Sequence, residues 1–287
     1  MPILPSHLHL RPMQLSDIPF AMKLKTMGNW NQVESDWEFL LSTNAEGCFV
    51  ALYNEKEVGT VTTLTYPHAF SWIGMVLVDP AYRGLGIGTA LLQRAIHYAR
   101  SKGTIRLDAT PQGEKLYCTL GFEVERHLLR LERKQTAFLP ELTSKCPAID
   151  RDIIEQILKI DLAVFGANRA RVLQYLLNIA PQYACYTERN GRITGYCFGR
   201  PGSNFEHIGP IVAENYTDAR HLLLTAMSSN PAKPFIVDVP AQAHQWLDEL
   251  KTAGFTTQRP FIRMHLGTLK NAGNPGMSYA IAGPELG

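Results

Sequence analysis

The chain has 287 residues, 45% apolar and 19% charged, with a formal net charge of +2. That balance excludes a disordered chain, and the lack of any Lys/Arg block argues against a nucleic-acid surface. No stretch approaches the roughly eighteen apolar residues of a membrane span. Met1 to Arg11 lacks the basic start and apolar run of a signal peptide, so a cytoplasmic protein of one large or two ordinary domains is expected. Five scattered cysteines (Cys48, Cys118, Cys146, Cys185, Cys197) form no Cys-x-x-Cys pair, so reduced thiols and no metal site are expected.

In chain order, His9 to Pro12 reads as an edge strand, with Pro12 limiting its pairing. Asp17 to Thr26 and Gln32 to Ser42 carry helical periodicity. Cys48 to Tyr53 and Val58 to Tyr66 form a hairpin around Asn54 to Glu57. Ser71 to Val78 is an apolar, β-branched run of the kind buried on both faces of a sheet, and Asp79-Pro80 ends it. After Arg83-Gly84-Leu85-Gly86-Ile87-Gly88, apolar residues recur at helical spacing until Gly103. A strand over Thr104 to Ala109, a short helix from Pro111 and a strand from Phe122 to about Glu132 follow.

The glycines at 84, 86 and 88 bare the backbone of a helix start. A first helical turn has unpaired N–H groups and a partial positive charge, so this loop predicts an anion cradle, most often for phosphate. Arg83 adds a full charge at its rim. A P-loop would need Gly-Lys-Ser/Thr, but the chain gives Gly88-Thr89-Ala90. A dinucleotide fingerprint would need Gly-x-Gly-x-x-Gly and a later acid. Arg83, Gly86 and Gly88 instead form Arg-x-x-Gly-x-Gly, which resembles the pyrophosphate loop of the GCN5-related N-acetyltransferases (GNAT). Leu116-Tyr117-Cys118-Thr119-Leu120-Gly121-Phe122 resembles the same family's Leu-Tyr-x-x-x-Gly-Phe segment.

Gln135 to Pro147 is a candidate boundary, dividing the chain at 136/137. Beyond it the outline repeats with a period of about 140 residues. Asp150 to Val164 and Arg169 to Ile179 are helical; Tyr183 to Thr187 and Ile193 to Gly199 form a hairpin around Asn190-Gly191. His207 to Val212, Phe235 to Val239 and Phe261 to Leu266 read as strands, with helices over Thr217 to Ser228 and Gln242 to Lys251. The repeat lacks the Arg/Gly loop, and Glu214 and Asp218 stand where a pyrophosphate would sit. No tyrosine precedes Gly254-Phe255. This half resembles the degenerate C-terminal domain of bacterial tandem GNAT proteins, on Gly199 to Gly202, Gly209-Pro210, Asp238 to Pro240, Arg259 to Met264 and Ala280 to Gly287. The expected fold class is therefore α/β (α+β): two tandem GNAT-like domains, each a mixed, mostly antiparallel sheet flanked by helices.

The resemblance implies an N-acetyltransferase that uses acetyl-CoA as co-substrate. Acetyl-CoA would lie between the 71–78 and 104–109 strands. Val76, Leu77 and Val78 would pair with the pantetheine and the thioester oxygen, and Arg83, Gly84, Leu85, Gly86, Ile87, Gly88 and Thr89 would hold the pyrophosphate. Tyr117 would be the general acid. The central strand has no glutamate, so the base is Asp108, His68 or a water chain; Asp108 is alternatively a cap for the helix at Thr110-Pro111. In the second half, Arg200 and Arg263 are candidates for a substrate carboxylate and Asp238 for its amine, with Arg–Asp interface pairs as the alternative. The expected acceptor is a small amine, and the chain is expected to act as a monomer that carries its own pseudo-dimer. A non-catalytic acyl-CoA sensor is the other function class.

Overall fold

The computed structural model describes residues 7–134, 142, 144–270 and 273–287, so most of the 135–147 boundary lies outside the described residues. The first half carries β1 (Leu8–Pro12), α1 (Ile18–Met27), α2 (Glu34–Asn44), β2 (Phe49–Tyr53), β3 (Lys56–Tyr66), β4 (Phe70–Val78), α3 (Ile87–Ala99), β5 (Thr104–Ala109), α4 (Pro111–Thr119) and β6 (Glu123–Arg133). The second half repeats this outline without the first strand: α5 (Arg151–Phe165), α6 (Ala170–Ile179), β7 (Cys185–Arg189), β8 (Arg192–Arg200), β9 (Glu206–Ala213), α7 (Tyr216–Ser228), β10 (Phe235–Pro240), α8 (His244–Thr252) and β11 (Thr256–Leu266). A short β12 (Ser278–Ala280) follows.

The two sheets expected from the repeat are one. Its strand order is β1-β2-β3-β4-β5-β11-β6-β10-β9-β8-β7, with β12 on β9. The halves exchange their last strands. β11 lies between β5 and β6, antiparallel to both, and β6 lies between β11 and β10, antiparallel to both. β11 also starts earlier than the apolar pattern predicts, because Thr256 to Pro260 pair with β6. Pro260 is accommodated because β5 pairs only from Ile262 onward, leaving that edge of β11 open.

Alternation along the strands divides the apolar residues between two faces. On one face Leu64 and Trp72 of the first half, with Tyr196 and Phe198 of the second, pack beneath α1, α2, α5 and α6 in a single core. On the other, Val61 and Ile73 pack under α3, while Ile211 and Val237 pack under α7 and α8.

Two buried ion pairs pin the exchange. Asp108 of β5 stands opposite Arg263 of β11 and accepts two bonds from it, at 2.8 and 2.9 Å. Asp238 of β10 stands opposite Arg130 of β6 and accepts two, both at 2.7 Å. Each half thus supplies the aspartate for the other half's arginine. Burial works against the charge of Asp238, but Arg130, with His207 Nε2 3.2 Å away, outweighs it and holds that carboxyl below its ordinary value.

Removing one partner of such a pair leaves a buried, uncompensated charge. Asp238→Ala is expected to lower unfolding free energy by about 3–5 kcal/mol, read as a lower urea midpoint. A loss under about 1 kcal/mol would mean the pair contributes no more than an exposed one. Because the folded carboxyl titrates below its ordinary 3.8, its contribution is present above that pH and is lost as pH falls below it.

Candidate active site

β4 and β5 run parallel and pair only from Phe70–Thr104 to Trp72–Arg106. Beyond that point they splay. The pairing of β4 with β3 slips between Thr60 and Thr62, leaving Met75 and Val76 as a bulge. Met75 takes φ 51° there, a left-handed backbone rare for a side chain without a short polar group. From Ile73 onward the edge of β4 facing β5 has no strand partner, so its backbone groups are available to a ligand.

The splay opens into a cavity of about 990 Å³ lined by Ile73 to Val78, Arg83, Gly84, Gly86 to Thr89, Asp108 and Tyr117. At its mouth α3 begins without a side-chain cap, because its N-cap residue is Gly86, at φ 77°. The first backbone bond into the helix is Ala90 N–H to Gly86 O, so the amides of Ile87, Gly88 and Thr89 have no protein acceptor among the described residues. A Cβ placed on Gly84 or Gly86 would meet no protein atom within 4 Å. The space beside these glycines is therefore open to a ligand. Arg83 is exposed beside it, its Nε donating to Val78 O at 3.3 Å. These residues fit a pyrophosphate: donors, one cation and room.

Tyr117 lies on α4, whose start is capped by Thr110 Oγ1 accepting from Gly113 N–H at 3.3 Å. That cap belongs to Thr110 and not to Asp108. The Tyr117 ring packs edge-on against Phe122, with centroids 5.9 Å apart. Burial pushes its hydroxyl up to about 12, so it keeps its proton at neutral pH.

The remaining sequence candidates fall elsewhere. His68 sits exposed in the turn between β3 and β4, beside Lys102 and Gly103, in a separate depression that shares no wall with the cavity. It is the wrong end of β4 for a base. Asp108 does line the cavity, but both its oxygens are taken by Arg263. Arg263 is accordingly engaged, and its guanidinium lies over Trp72, 4.6 Å from the ring centroid. Asp238 is occupied by Arg130. Arg200 is buried between two carboxylates, Asp36 and Glu285, and bonds both. None of Arg200, Asp238 and Arg263 lines the cavity.

Three second-half residues line it, none of them among the candidates: Arg259, Pro284 and Glu285. Glu285 belongs to the tail after β12, which crosses onto the first half. Trp72 Nε1 donates to Pro284 O at 2.8 Å, Tyr66 donates to Leu286 O, and Gln32 Nε2 donates to Glu285 Oε2 at 2.9 Å. The tail passes so close to the bulge that a Cβ on Gly74 would lie 3.0 Å from Glu285 Cα. A lone acid within the apolar run Ile281 to Leu286 was the available signal.

Among the described residues the matching place in the second half is filled. β9 and β10 also pair at two positions only, Phe235–Glu206 and Ile236–His207. There β12 pairs with β9, Ile281 N–H donates to Asp238 O at 2.9 Å, and Trp246 Nε1 of α8 donates to Tyr279 O at 2.9 Å. The chain's own strand therefore occupies that splay. α7, the counterpart of α3, is capped by Asn215, whose Oδ1 accepts from Asp218 N–H at 2.9 Å.

Residues 17–122 match the model of the acetyltransferase (GNAT) family, and residues 157–280 match that of an acetyltransferase (GNAT) domain. The chain is a tandem GNAT protein. It is 24% identical over 280 residues to the holothin acyltransferase of a Pseudoalteromonas species, covering 96% of this chain and 94% of that one. It is 27% identical over 188 residues to YitH of Bacillus subtilis, an uncharacterised N-acetyltransferase, covering 64% and 65% of the two chains. A Pyrococcus horikoshii protein assigned as an acetyltransferase shares its structure with a TM-score of 0.85 and 25% identity, over 99% and 98% of the chains. A tandem GNAT protein from the clavulanic acid biosynthesis pathway shares the fold at 12% identity, TM-score 0.64, over 93% and 99%. Among the described residues no helix is long and apolar enough to cross a membrane, and no cluster of His, Cys, Asp and Glu is arranged to hold a metal.

Gly86→Glu places a carboxylate in the cradle, where no protein atom blocks it. Calorimetric titration of acetyl-CoA is expected to show affinity lowered at least about 100-fold, since charge and bulk both oppose a pyrophosphate there. Near-normal affinity would remove the cradle as the coenzyme site.

Proposed function

We propose that this protein transfers an acetyl group from acetyl-CoA to the primary amine of a small molecule by direct attack. The observation that carries the reading is the uncapped start of α3 opening onto the β4–β5 splay, with Tyr117 on the same cavity. Bound acetyl-CoA supplies the activated acyl group. Amides of Gly84 to Thr89, with Arg83, hold its pyrophosphate, and the open edge of β4 at Val76 and Val78 pairs with pantetheine as an added strand. The N–H near Leu77 donates to the thioester oxygen as negative charge grows there, a donor worth about 3 kcal/mol. The acceptor nitrogen bonds to the carbonyl carbon, the C–S bond breaks, Tyr117 gives its hydroxyl proton to sulfur, and the proton lost by the nitrogen passes through water to restore the Tyr117 hydroxyl.

In this reading residues 1–136 carry the chemistry and residues 137–287 close the pocket, through the Glu285 tail and Arg259. The chain acts as a monomer, its exchanged strands standing in for a dimer contact, in the cytoplasm. One relative is named as a holothin acyltransferase, so holothin belongs in the panel of acceptors beside amines and amino acids. CoA binding without release to any acceptor would favour a sensor instead.

Two tests follow the chemistry. Tyr117→Phe is expected to keep the affinity for acetyl-CoA and to lower kcat in a free-thiol assay by about 10²–10⁴-fold; an unchanged kcat would take the acid role from Tyr117. The two acids on the cavity wall have no oxygen free for the amine: both Asp108 oxygens accept from Arg263, and those of Glu285 accept from Arg200 and Gln32. The acceptor is therefore used as its free base. kcat/KM should rise tenfold per pH unit up to the amine's own pKa; a plateau beginning well below that pKa would reveal a dedicated base.

A further inference from the structure

Most buried arginines where the two halves meet are neutralised within the protein. Arg263 is matched by Asp108, Arg130 by Asp238, and Arg200 by Asp36 and Glu285. Arg259 is not. It lines the cavity, its Nε is buried without a hydrogen-bond partner, and no carboxylate lies in ion-pair distance among the described residues. Its guanidinium lies 5.0 Å from the centroid of the Phe261 ring, the same separation at which Arg130 lies over that ring. Stacking on Phe261 holds the group without consuming its donors.

Its place on β11 explains why it faces ligand space. Arg259 stands opposite Arg130 on the β6 side, and β5 joins β11 only from Ile262. On the other edge Arg259 therefore projects beyond the end of β5, where the β4–β5 splay is open. Burial, with the charge of Arg130 added and Asp238 offsetting part of it, pushes its pKa down to about 10, so it is a cation at neutral pH with no carboxylate at ion-pair distance among the described residues.

We propose that Arg259 anchors a carboxylate on the acceptor, making the substrate an amine that carries an acid group, as an amino acid does. This rests on the transferase reading above. A single planar fork suits a two-oxygen anion, which it binds through paired hydrogen bonds. The cavity's other cation, Arg83, lies at the glycine loop and is committed to the pyrophosphate. Glu285 lines the same cavity, but its oxygens are held by Arg200 and Gln32, so Arg259 is the group there with donors to spare.

The test compares each amino acid with the amine left when its carboxylate is removed, such as tyrosine with tyramine and leucine with isopentylamine. The wild type should favour the carboxylate member of its preferred pair by about 10- to 100-fold in kcat/KM, the usual worth of a charged hydrogen bond. Arg259→Gln should erase that preference and leave the affinity for acetyl-CoA unchanged; Arg259→Lys should restore part of it. Equal or better use of the decarboxylated amines by the wild type would overturn the assignment, as would a preference that survives Arg259→Gln. Weakened acetyl-CoA binding in Arg259→Gln would give the residue to the coenzyme instead. No CoA release from any amine would defeat the transferase reading itself. The carboxylate site is then read by calorimetry of the same pairs into CoA-loaded protein, where equal binding of both members would overturn it.

Discussion

The structure depends on two opposed aspartate–arginine pairs in the middle of one sheet. Asp108–Arg263 and Asp238–Arg130 occupy matching places in the two halves, and each spans the exchange of β6 and β11. A buried carboxylate and a buried guanidinium are each costly alone and tolerable only together. The pairs therefore select one register for the exchanged strands, since a slip of one residue would turn every side chain to the other face. That register sets how far β11 runs past the end of β5, and so brings Arg259 to the cavity.

Similar halves have reached different ends. In both, two parallel strands pair briefly and then splay beside a helix start. In the first, glycine at the N-cap leaves the helix amides bare and the splay open. In the second, Asn215 takes an amide for itself and β12 fills the gap along β9. The segment that fills the second cleft continues into the wall of the first, through Pro284 and Glu285. One stretch of chain thus closes one cleft and completes the other, which explains why a half without a coenzyme loop can still shape the acceptor pocket.

Much of this was legible in the sequence, because local chemistry wrote it. The order of elements, the Asn54-Glu55 and Asn190-Gly191 turns, the glycine loop and Tyr117 each follow from short-range patterns. What was not legible came from long-range pairing. Nothing in the apolar run Phe261 to Leu266 says that its neighbours are strands from the other half. Asp108, Asp238 and Arg263 read as candidate ligands since an isolated charge in an apolar strand has the same signature whether it meets a substrate or a partner. The bulge at Met75 escaped notice because a positive φ is expected at glycine, and Gly74 precedes it by one residue. Arg259 and Glu285 are separated from the glycine loop by most of the chain, and only the strand exchange and the crossing tail unite them.

The most direct test of the whole account is the stoichiometry of acetyl-CoA binding, measured by titration calorimetry on the full chain. One site per chain is expected, because one splay is open with a bare helix start and the other is filled by β12. Two equivalent sites would contradict the closed second cleft, and no binding would contradict the reading of the first.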